Sequence, residues 1–209
     1  RDYTLLTRNI PLTIVGERIN PTGKKTLQAE LKEGKFDEVR RFAGEQTESG
    51  ARILDVNVGM AGINEKEIML KSINLLCTIN SLPLCIDSSD PDVIEAALRV
   101  YPGRALINSI SAEKKKIEKL LPLAAKYGAM FILLPLNDNE IPAKAEGRIK
   151  IVEEIFNEAK KYGYTKDDIT VDGLVMTVSS DPEAAKETLK LINWCSNIFG
   201  VNTIVGLSN

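Results

Sequence analysis

The stretch LCIDSSD, residues 84–90, joins a short apolar run to an amphipathic segment and decides the fold. The apolar run stops at Asp87, small polar residues follow, and Asp90-Pro91 opens the next segment, which predicts a strand, a tight turn and a helix. Asp90 followed by Pro91 already supplies a helix cap and a proline at the first helical position. Asp87 is therefore a candidate site residue rather than a turn residue, because ligands of parallel α/β folds bind at the carboxyl ends of strands.

The same alternation of apolar runs and amphipathic segments extends in both directions from this stretch. The predicted strands are 13–15, 52–58, 84–86, 105–107, 130–134, 169–171 and 203–205. The predicted helices are 35–49, 64–79, 93–100, 113–127 and 144–162, with a sixth opened by Ser180-Asp181-Pro182-Glu183. Strict alternation predicts a parallel sheet with helical crossovers.

Both an eight-stranded barrel and an open doubly wound sheet satisfy this order. Polar residues close almost every strand, which favours the α/β fold of a (β/α)8 TIM barrel, whose whole carboxyl face is available to a ligand. About seven strands are found where such a barrel has eight over about 250 residues. We therefore expect a C-terminally incomplete barrel over residues 13–209, a fragment of a longer chain, preceded by an N-terminal arm or linker at residues 1–12.

Composition narrows the classes of function. The 209 residues carry a net charge of −2 and no histidine, which argues against nucleic acid as a partner and excludes Ser-His-Asp triads and His-metal sites. No apolar run approaches the roughly 20 residues of a membrane span, and no signal peptide is evident, so a soluble, cytoplasmic protein without a membrane partner is expected. Three single cysteines without C-x-x-C pairing argue against a disulfide framework or a zinc site.

Polar side chains collect at the predicted strand exits. They are Glu17, Asn20, Asp55, Asn57, Asp87, Asn108, Asp172 and Asn209. An all-oxygen Mg²⁺ or Ca²⁺ site is one interpretation. A planar, nitrogen-rich heterocycle such as a pterin or guanine is the better chemical match, because carboxylates and carboxamides pair with its adjacent N–H donors.

Five motifs, in this order, resemble the pterin-binding methyltransferase family: GERINPTG (16–23), LDVNVG (54–59), CIDSS (85–89), INSIS (107–111) and VGLSN (205–209). The resemblance implies that Asp87, Asn108 and Asp172 hold the pterin ring and that Asn209 approaches N5 of the folate as the catalytic residue. Glu17, Asn20, Asp55 and Asn57 are secondary candidates, and no directly bound metal is implied. The sequence departs from the family at Gly173, where a proline often follows the acid, and at Asp90, where the corrinoid/iron-sulfur branch often has Asn.

The resemblance also implies an activity. It is transfer of the N5 methyl group of 5-methyltetrahydrofolate to cob(I)alamin or another corrinoid, which a partner domain or protein carries. The PTGKK continuation after GERIN favours the methionine-synthase branch. The resemblance also allows a homocysteine-binding domain as a partner and assembly of the chain as a homodimer. Alternatives are a methyltetrahydrofolate:corrinoid/iron-sulfur-protein methyltransferase, a dihydropteroate synthase-like transferase and a module that only binds folate.

Overall fold

The structure is a computed structural model that describes residues 2–7, 11–138, 141–175 and 182–206. Within these ranges the chain forms seven strands and seven α-helices. It divides into two compact units, the first built mainly from residues 11–108 and the second mainly from residues 109–126 and 130–206.

The elements of the first unit are β1 (Val15–Ile19), α1 (Lys25–Lys32), α2 (Asp37–Glu48), β2 (Ile53–Asn57), α3 (Glu65–Ile79), β3 (Leu84–Asp87), α4 (Pro91–Val100) and the first half of β4 (Leu106–Ser111). The second unit contains the rest of β4, α5 (Lys114–Lys126), β5 (Met130–Leu134), α6 (Ala145–Lys160), β6 (Ile169–Asp172), α7 (Pro182–Asn193) and β7 (Asn202–Ile204). A 3-10 turn spans Lys166–Asp168, and a π-helix spans Trp194–Phe199.

The site acids of the first unit lie on one face of its sheet, opposite a fully apolar row of side chains. Strands β1 to β4 pair in parallel in chain order. On β2 and β3 the register sets Leu54 opposite Leu84 and Val56 opposite Ile86, and none of these four side chains is accessible to solvent. Each such buried side chain stabilises the fold by about 1.5–3 kcal/mol. Because successive strand residues point to opposite faces, the intervening positions, which include Asp55 and Asp87, share the other face.

The second unit repeats the parallel pairing, with β5 beside β6 and β6 beside β7. Phe131 of β5 is fully buried and meets the ring of Tyr164 edge to face at 5.2 Å. Trp194 and Phe199 stack at 4.6 Å within the π-helix, an arrangement that favours the packing of this segment.

The predicted helix start in the opening stretch is confirmed. Asp90 caps α4, its Oδ1 accepting the N–H of Asp92 at 2.8 Å, and Pro91 occupies the first helical position. The strand that precedes the cap ends at Asp87, as predicted. The cap predicted for the sixth helix, at Ser180 and Asp181, lies outside the described residues.

The predicted position of the first strand is wrong. The strand begins at Val15 rather than ending there, and it includes Glu17. Gly16 explains the shift: a Cβ at Gly16 would lie 2.7 Å from Gln46 Oε1, and that same oxygen accepts the N–H of Arg18 at 2.7 Å. The side chain of Gln46 thus packs against a polar strand that lacks an apolar sequence pattern.

Helix α1 was not predicted, because its sequence carries no start signal. Lys24 precedes it without a side-chain cap, and the segment follows a run of polar and turn-forming residues. Its two buried leucines, Leu27 and Leu31, are four residues apart and fix it against the unit.

Strand β4 is longer than predicted and ends at Ser111. The buried Ser111 hydroxyl donates to Glu113 at 2.6 Å. The first N–H of α5, at Lys114, donates instead to Asp138 Oδ2 at 3.0 Å, so a residue far along the chain supplies the cap. Asn108 consequently lies inside β4 and not at its end.

Candidate functional site

Asp87 ends β3, and a carboxamide from the neighbouring strand fixes its orientation. The register sets Asn57 opposite Asp87, and Asn57 Nδ2 donates to Asp87 Oδ2 at 2.9 Å. Asn57 Oδ1 accepts the N–H of Gly59 at 2.9 Å, which determines the direction of the amide because a backbone N–H can only donate. Burial raises the pKa of Asp87, the hydrogen bond from Asn57 lowers it, and the charges of Glu65 and Glu17 raise it further.

Asp55 lies on the same face and forms a second acid–amide pair. Asn108 Nδ2 donates to Asp55 Oδ2 at 3.1 Å. Asp55 is only 5% exposed, and burial, followed by the charge of Asp87, raises its pKa to about 7. Hydrogen bonds from Cys85 and Asn108 lower that pKa, while the charge of Glu17 raises it. Because this pKa lies near neutrality, Asp55 retains its proton in part of the population at pH 7, which limits its repulsion of Asp87.

The two pairs join into one cluster, because the register of β3 with β4 sets Asp87 opposite Asn108. Each hydrogen bond uses one of the two N–H groups of its amide, so Asn57 Nδ2 and Asn108 Nδ2 each keep one donor. Asp87 Oδ1 and Asn108 Oδ1 are acceptors outside these two bonds. Among the described residues, this face therefore offers neighbouring acceptors to a ligand edge that carries adjacent N–H donors.

The structure assigns Glu17 and Asn20 different positions. Glu17 is an exposed residue of β1 whose charge raises the pKa of both Asp55 and Asp87, so it acts on the cluster electrostatically. Asn20 Oδ1 accepts the N–H of Thr22 at 2.9 Å and closes a local turn. A pterin contact of either residue stays a prediction.

Ser88 and Glu65 support the turn that follows Asp87. The Ser88 hydroxyl donates to Glu65 Oε1 at 2.5 Å and accepts the N–H of Asp90 at 3.1 Å. Sequence reasoning did not single out Glu65, which lies in the first turn of α3 and looks like an ordinary helix-start acid. Its proximity to Asp87 becomes visible only when α3 is placed beside the end of β3.

Asp172 ends β6 in the second unit and is held by its own backbone. Asp172 Oδ1 accepts the N–H of Leu174 at 2.8 Å. Burial raises the pKa of Asp172, and the hydrogen bond from Leu174 lowers it. Leu174 adopts a left-handed conformation with φ of 50°, which is uncommon for a branched residue.

Gly173 explains the departure from the family pattern. Its N–H donates to the carbonyl oxygen of Ile204 at 2.9 Å, a bond that proline cannot make. A Cβ at this position would lie 3.1 Å from Val205 Cγ1 and 3.2 Å from Ile192 Cδ1. The close approach of β7 and α7 therefore favours glycine here.

Arg148, on α6, is a residue that sequence reasoning missed. Its side chain is 2% exposed, and its guanidinium donates to the carbonyl oxygens of Pro142, Gly173 and Leu174 and to the hydroxyl of Thr188. An arginine on an amphipathic helix is usually solvent-exposed. Its position therefore carried no signal.

Asn209, predicted to approach N5 of the folate, lies outside the described residues. Within the described ranges, no group of three or more carboxylate or thiolate side chains is arranged to hold a metal ion. None of the described helices combines the length and the apolar character that crossing a bilayer requires.

Comparison with known proteins gives one family match. The family described as "Pterin binding enzyme" matches residues 16–209. The chain is 28% identical over 207 residues to methionine synthase of Mycobacterium leprae, which covers 94% of this chain and 17% of that protein. It is 31% identical over 210 residues to the methylcorrinoid:tetrahydrofolate methyltransferase of Eubacterium limosum, covering 95% of this chain and 74% of that protein.

Solved structures show the fold. Dihydropteroate synthase of Xanthomonas albilineans in complex with 7,8-dihydropteroate is similar with a TM-score of 0.67 at 21% identity, over 97% of this chain and 73% of that one. The enzyme of Vibrio fischeri gives 0.68 at 17% identity, over 99% and 78%. With seven parallel strands in chain order within the units, the predicted (β/α)8 barrel fold, incomplete at seven strands, is confirmed.

Proposed function

Because the chain belongs to the pterin binding enzyme family, which it matches over residues 16–209, we propose that it transfers the N5 methyl group of 5-methyltetrahydrofolate to a corrinoid carried by a partner domain or protein. In this proposal the chain is the folate-binding part of a methionine synthase. The names of its relatives, methionine synthase and methylcorrinoid:tetrahydrofolate methyltransferase, support a folate substrate and a corrinoid partner. The chain spans 17% of the length of the methionine synthases that it matches.

The observation that carries the proposal is the pair of outward acceptors, Asp87 Oδ1 and Asn108 Oδ1. The amide of Asn57 donates one N–H to Asp87, and the amide of Asn108 donates one N–H to Asp55, so these bonds orient the two acceptors. A reduced pterin offers adjacent ring N–H and exocyclic amino donors, and a partly buried carboxylate forms strong charge-assisted bonds with such an edge. Asp172 is the acceptor that we assign to the same ring from the second unit.

The chemistry follows from the leaving group. The bond between N5 and the methyl carbon breaks with its electron pair remaining on N5, and the Co(I) of the corrinoid substrate supplies the pair for the new bond to the methyl group. An amine nitrogen leaves poorly unless a proton or a hydrogen bond reaches it in the transition state. Since the chain has no histidine, we assign this task to a water or to the carboxamide of Asn209.

The protein's own contribution is binding and orientation. Asp87, Asn108 and Asp172 hold the ring so that the N5 methyl group faces the acceptor, which converts an encounter of two substrates into a positioned reaction. Burial and the charge of Asp87 raise the pKa of Asp55 to about 7, so a proton on Asp55 eases the repulsion between the two carboxyl groups.

A second candidate is the reverse transfer, from a methylated corrinoid to tetrahydrofolate. The relative of that name is 31% identical, and the chain covers 74% of its length. The same pterin contacts serve either direction. Under this alternative, the N5 lone pair of tetrahydrofolate forms the new bond to the methyl group, the electron pair of the broken cobalt–carbon bond stays on the corrinoid substrate as Co(I), and the N5 proton passes to water as the bond forms.

A dihydropteroate synthase-like reaction is less well supported. It requires cations to hold a pyrophosphate, and both Arg18 of β1 and Lys24, just before α1, have other partners. The guanidinium of Arg18 lies 5.0 Å from the ring centre of Phe42, and Lys24 Nζ donates to the carbonyl oxygen of Asn20 at 3.1 Å.

Stopped-flow mixing of the chain with 5-methyltetrahydrofolate and free cob(I)alamin tests the proposal. We expect loss of the cob(I)alamin spectrum and formation of methylcobalamin, and a strongly reduced rate for Asp87→Ala at subsaturating folate. Transfer observed only from methylcobalamin to tetrahydrofolate would favour the second candidate. Tight folate binding without transfer in either direction would reduce the chain to a binding module.

A further inference from the structure

We propose that Arg148 is a positioning residue for Asp172. Its guanidinium holds the turn after β6, and this turn orients the Asp172 carboxylate toward the pterin. This inference rests on the proposed function for the identity of the ligand. The geometry that supports the inference is independent of the proposed function and lies entirely within the second unit.

The turn after Asp172 is held by hydrogen bonds to its carbonyl groups. Arg148 Nη1 donates to the carbonyl oxygens of Gly173 at 3.5 Å and Leu174 at 3.3 Å. The Thr188 hydroxyl donates to the same Leu174 oxygen at 3.0 Å and accepts from Arg148 Nη1 at 3.3 Å. The arginine and the threonine therefore converge on the peptide groups that connect Asp172 to the rest of the chain.

Leu174 links this network to the acid. Its N–H donates to Asp172 Oδ1, and its φ of 50° is one that a leucine adopts only when its surroundings impose it. Two donors on the Leu174 carbonyl oxygen supply that constraint. If the carbonyl were released, Leu174 would relax toward a negative φ, and its N–H would turn away from Asp172.

The link that we propose between Arg148 and Asp172 is the backbone of the turn. The pKa of Asp172 is raised by burial and lowered by the Leu174 N–H. The charged group that faces the guanidinium is Glu187 of α7, which counters the fall in the Arg148 pKa that burial causes. Glu187 itself accepts the N–H of Ala145, the first residue of α6. This hydrogen bond, together with the one from Lys190, lowers the pKa of Glu187 to about 2.

The guanidinium is also anchored independently of the turn. Arg148 Nε donates to the carbonyl oxygen of Pro142 at 2.9 Å, just before α6 begins. A lysine cannot reproduce this arrangement, because it has one donor nitrogen where arginine has three in a rigid fork. Arginine at this position thus joins the start of α6 to the turn after β6.

The test is a double-substitution cycle with a readout on the acid itself. For Arg148→Met we expect the Kd for 5-methyltetrahydrofolate to rise about tenfold, as when a buried hydrogen-bonded partner is removed. The same substitution in an Asp172→Ala background should change the Kd less than twofold. Arg99→Met, which removes an exposed helical arginine paired with Glu95, is the matched control and should leave the Kd unchanged.

Carboxyl ¹³C NMR of the ligand-free chain separates this inference from the proposed function. If Arg148 positions the turn, the pKa of Asp172 in Arg148→Met should rise further, because the Leu174 N–H is lost. Thr188→Val is a milder change that serves if Arg148→Met does not fold. It should also raise the pKa of Asp172, but by a smaller amount. An unchanged Asp172 pKa in the folded variants, or equal losses of affinity in both backgrounds, would overturn the inference, whereas absence of folate binding by the unsubstituted chain would overturn only the proposed function.

Discussion

Asp87 and Asp172 both end a parallel strand, and burial raises the pKa of both, yet they are oriented by different means. Asp87 is held by a side chain, the carboxamide of Asn57 on the neighbouring strand, and two further acids, Glu17 and Glu65, act on it. Asp172 is held by a backbone N–H within its own turn, and a buried arginine on α6 supports that turn. Two acids with the same assigned task thus depend on different parts of the sequence.

The difference indicates which kind of substitution should disturb the orientation of each acid. The Asp87 arrangement is electrostatic: its neighbours include three other carboxyl groups, so pH and charge substitutions should affect it most. The Asp172 arrangement is conformational: it depends on a left-handed leucine and on a glycine that packs closely against β7 and α7. Backbone substitutions should affect it most.

The largest expected effect is the loss of the Asp87 carboxylate. Asp87→Ala should raise the Kd for 5-methyltetrahydrofolate by about one to three orders of magnitude, because a partly buried charge-assisted pair is lost. Asp90→Ala is the matched control from the same stretch. It removes the cap of α4 and should lower the free energy of unfolding by about 1 kcal/mol without changing the Kd. Equal affinity of Asp87→Ala and the unsubstituted chain in calorimetry would refute the assignment.

Asp55 should make the first unit pH-sensitive. Its pKa of about 7 in the folded chain exceeds its ordinary value of 3.8, so the folded state binds the proton more tightly than the unfolded state. The stability from this group is fully present below about pH 4 and is lost as the pH rises through 7, by at most about 4 kcal/mol.

Asp55→Asn should therefore raise the free energy of unfolding at pH 8.5 by a few kcal/mol and change it little at pH 4. Urea denaturation at both pH values measures the difference. Glu118→Gln, which replaces an exposed carboxyl on α5, should show no such pH dependence. If Asp55→Asn were destabilising by the same amount at both pH values, Asp55 would not be the titrating group.

Gly173 tests the conformational arrangement of the second unit. Gly173→Pro removes the N–H that donates to Ile204 and should lower the free energy of unfolding by about 3 kcal/mol. Gly173→Ala keeps that bond and meets Val205 at 3.1 Å, so it should cost less. Thermal unfolding of both variants checks the order, and a proline variant as stable as the unsubstituted chain would show that the Ile204 bond is dispensable.

The smallest expected effect concerns Asn57. Asn57→Ala should raise the Kd for 5-methyltetrahydrofolate about fivefold to tenfold, because one hydrogen bond that orients Asp87 is lost. It should also raise the pKa of Asp87, since that bond lowers it. Asn64→Ala removes the cap of α3 and serves as control: it should lower stability and leave the Kd unchanged. A Kd equally insensitive to both substitutions would mean that Asp87 needs no orienting partner.

The sequence predicted correctly those elements that local patterns encode. The alternation of elements, the cap at Asp90 and the end of β3 at Asp87 all follow from period, capping chemistry and an abrupt change of polarity. The predicted position of β1 was wrong, because a glutamine from α2 packs against this polar strand, and α1 was not predicted, because it has no cap signal.

The partners of the site acids were less accessible than the acids themselves. Asp55 and Asn57 were recognised at a strand end, but their pairing with Asn108 and Asp87 requires the register of three strands. Arg148 gave no signal, because an arginine four positions into an amphipathic helix looks the same whether it faces solvent or a buried turn. The reason for Gly173 likewise depends on Val205 and Ile192, which are distant in sequence.

The central claim is that Asp87 and Asp172 hold one pterin, and carboxyl ¹³C NMR of the aspartate-labelled chain tests it most directly. Asp87→Asn and Asp172→Asn assign the two resonances. On saturation with 5-methyltetrahydrofolate, both should shift, and both pKa values should fall, because N–H donors of the ring stabilise the charged carboxylates. A shift of only one of these resonances, or of neither, at saturating ligand would contradict the claim.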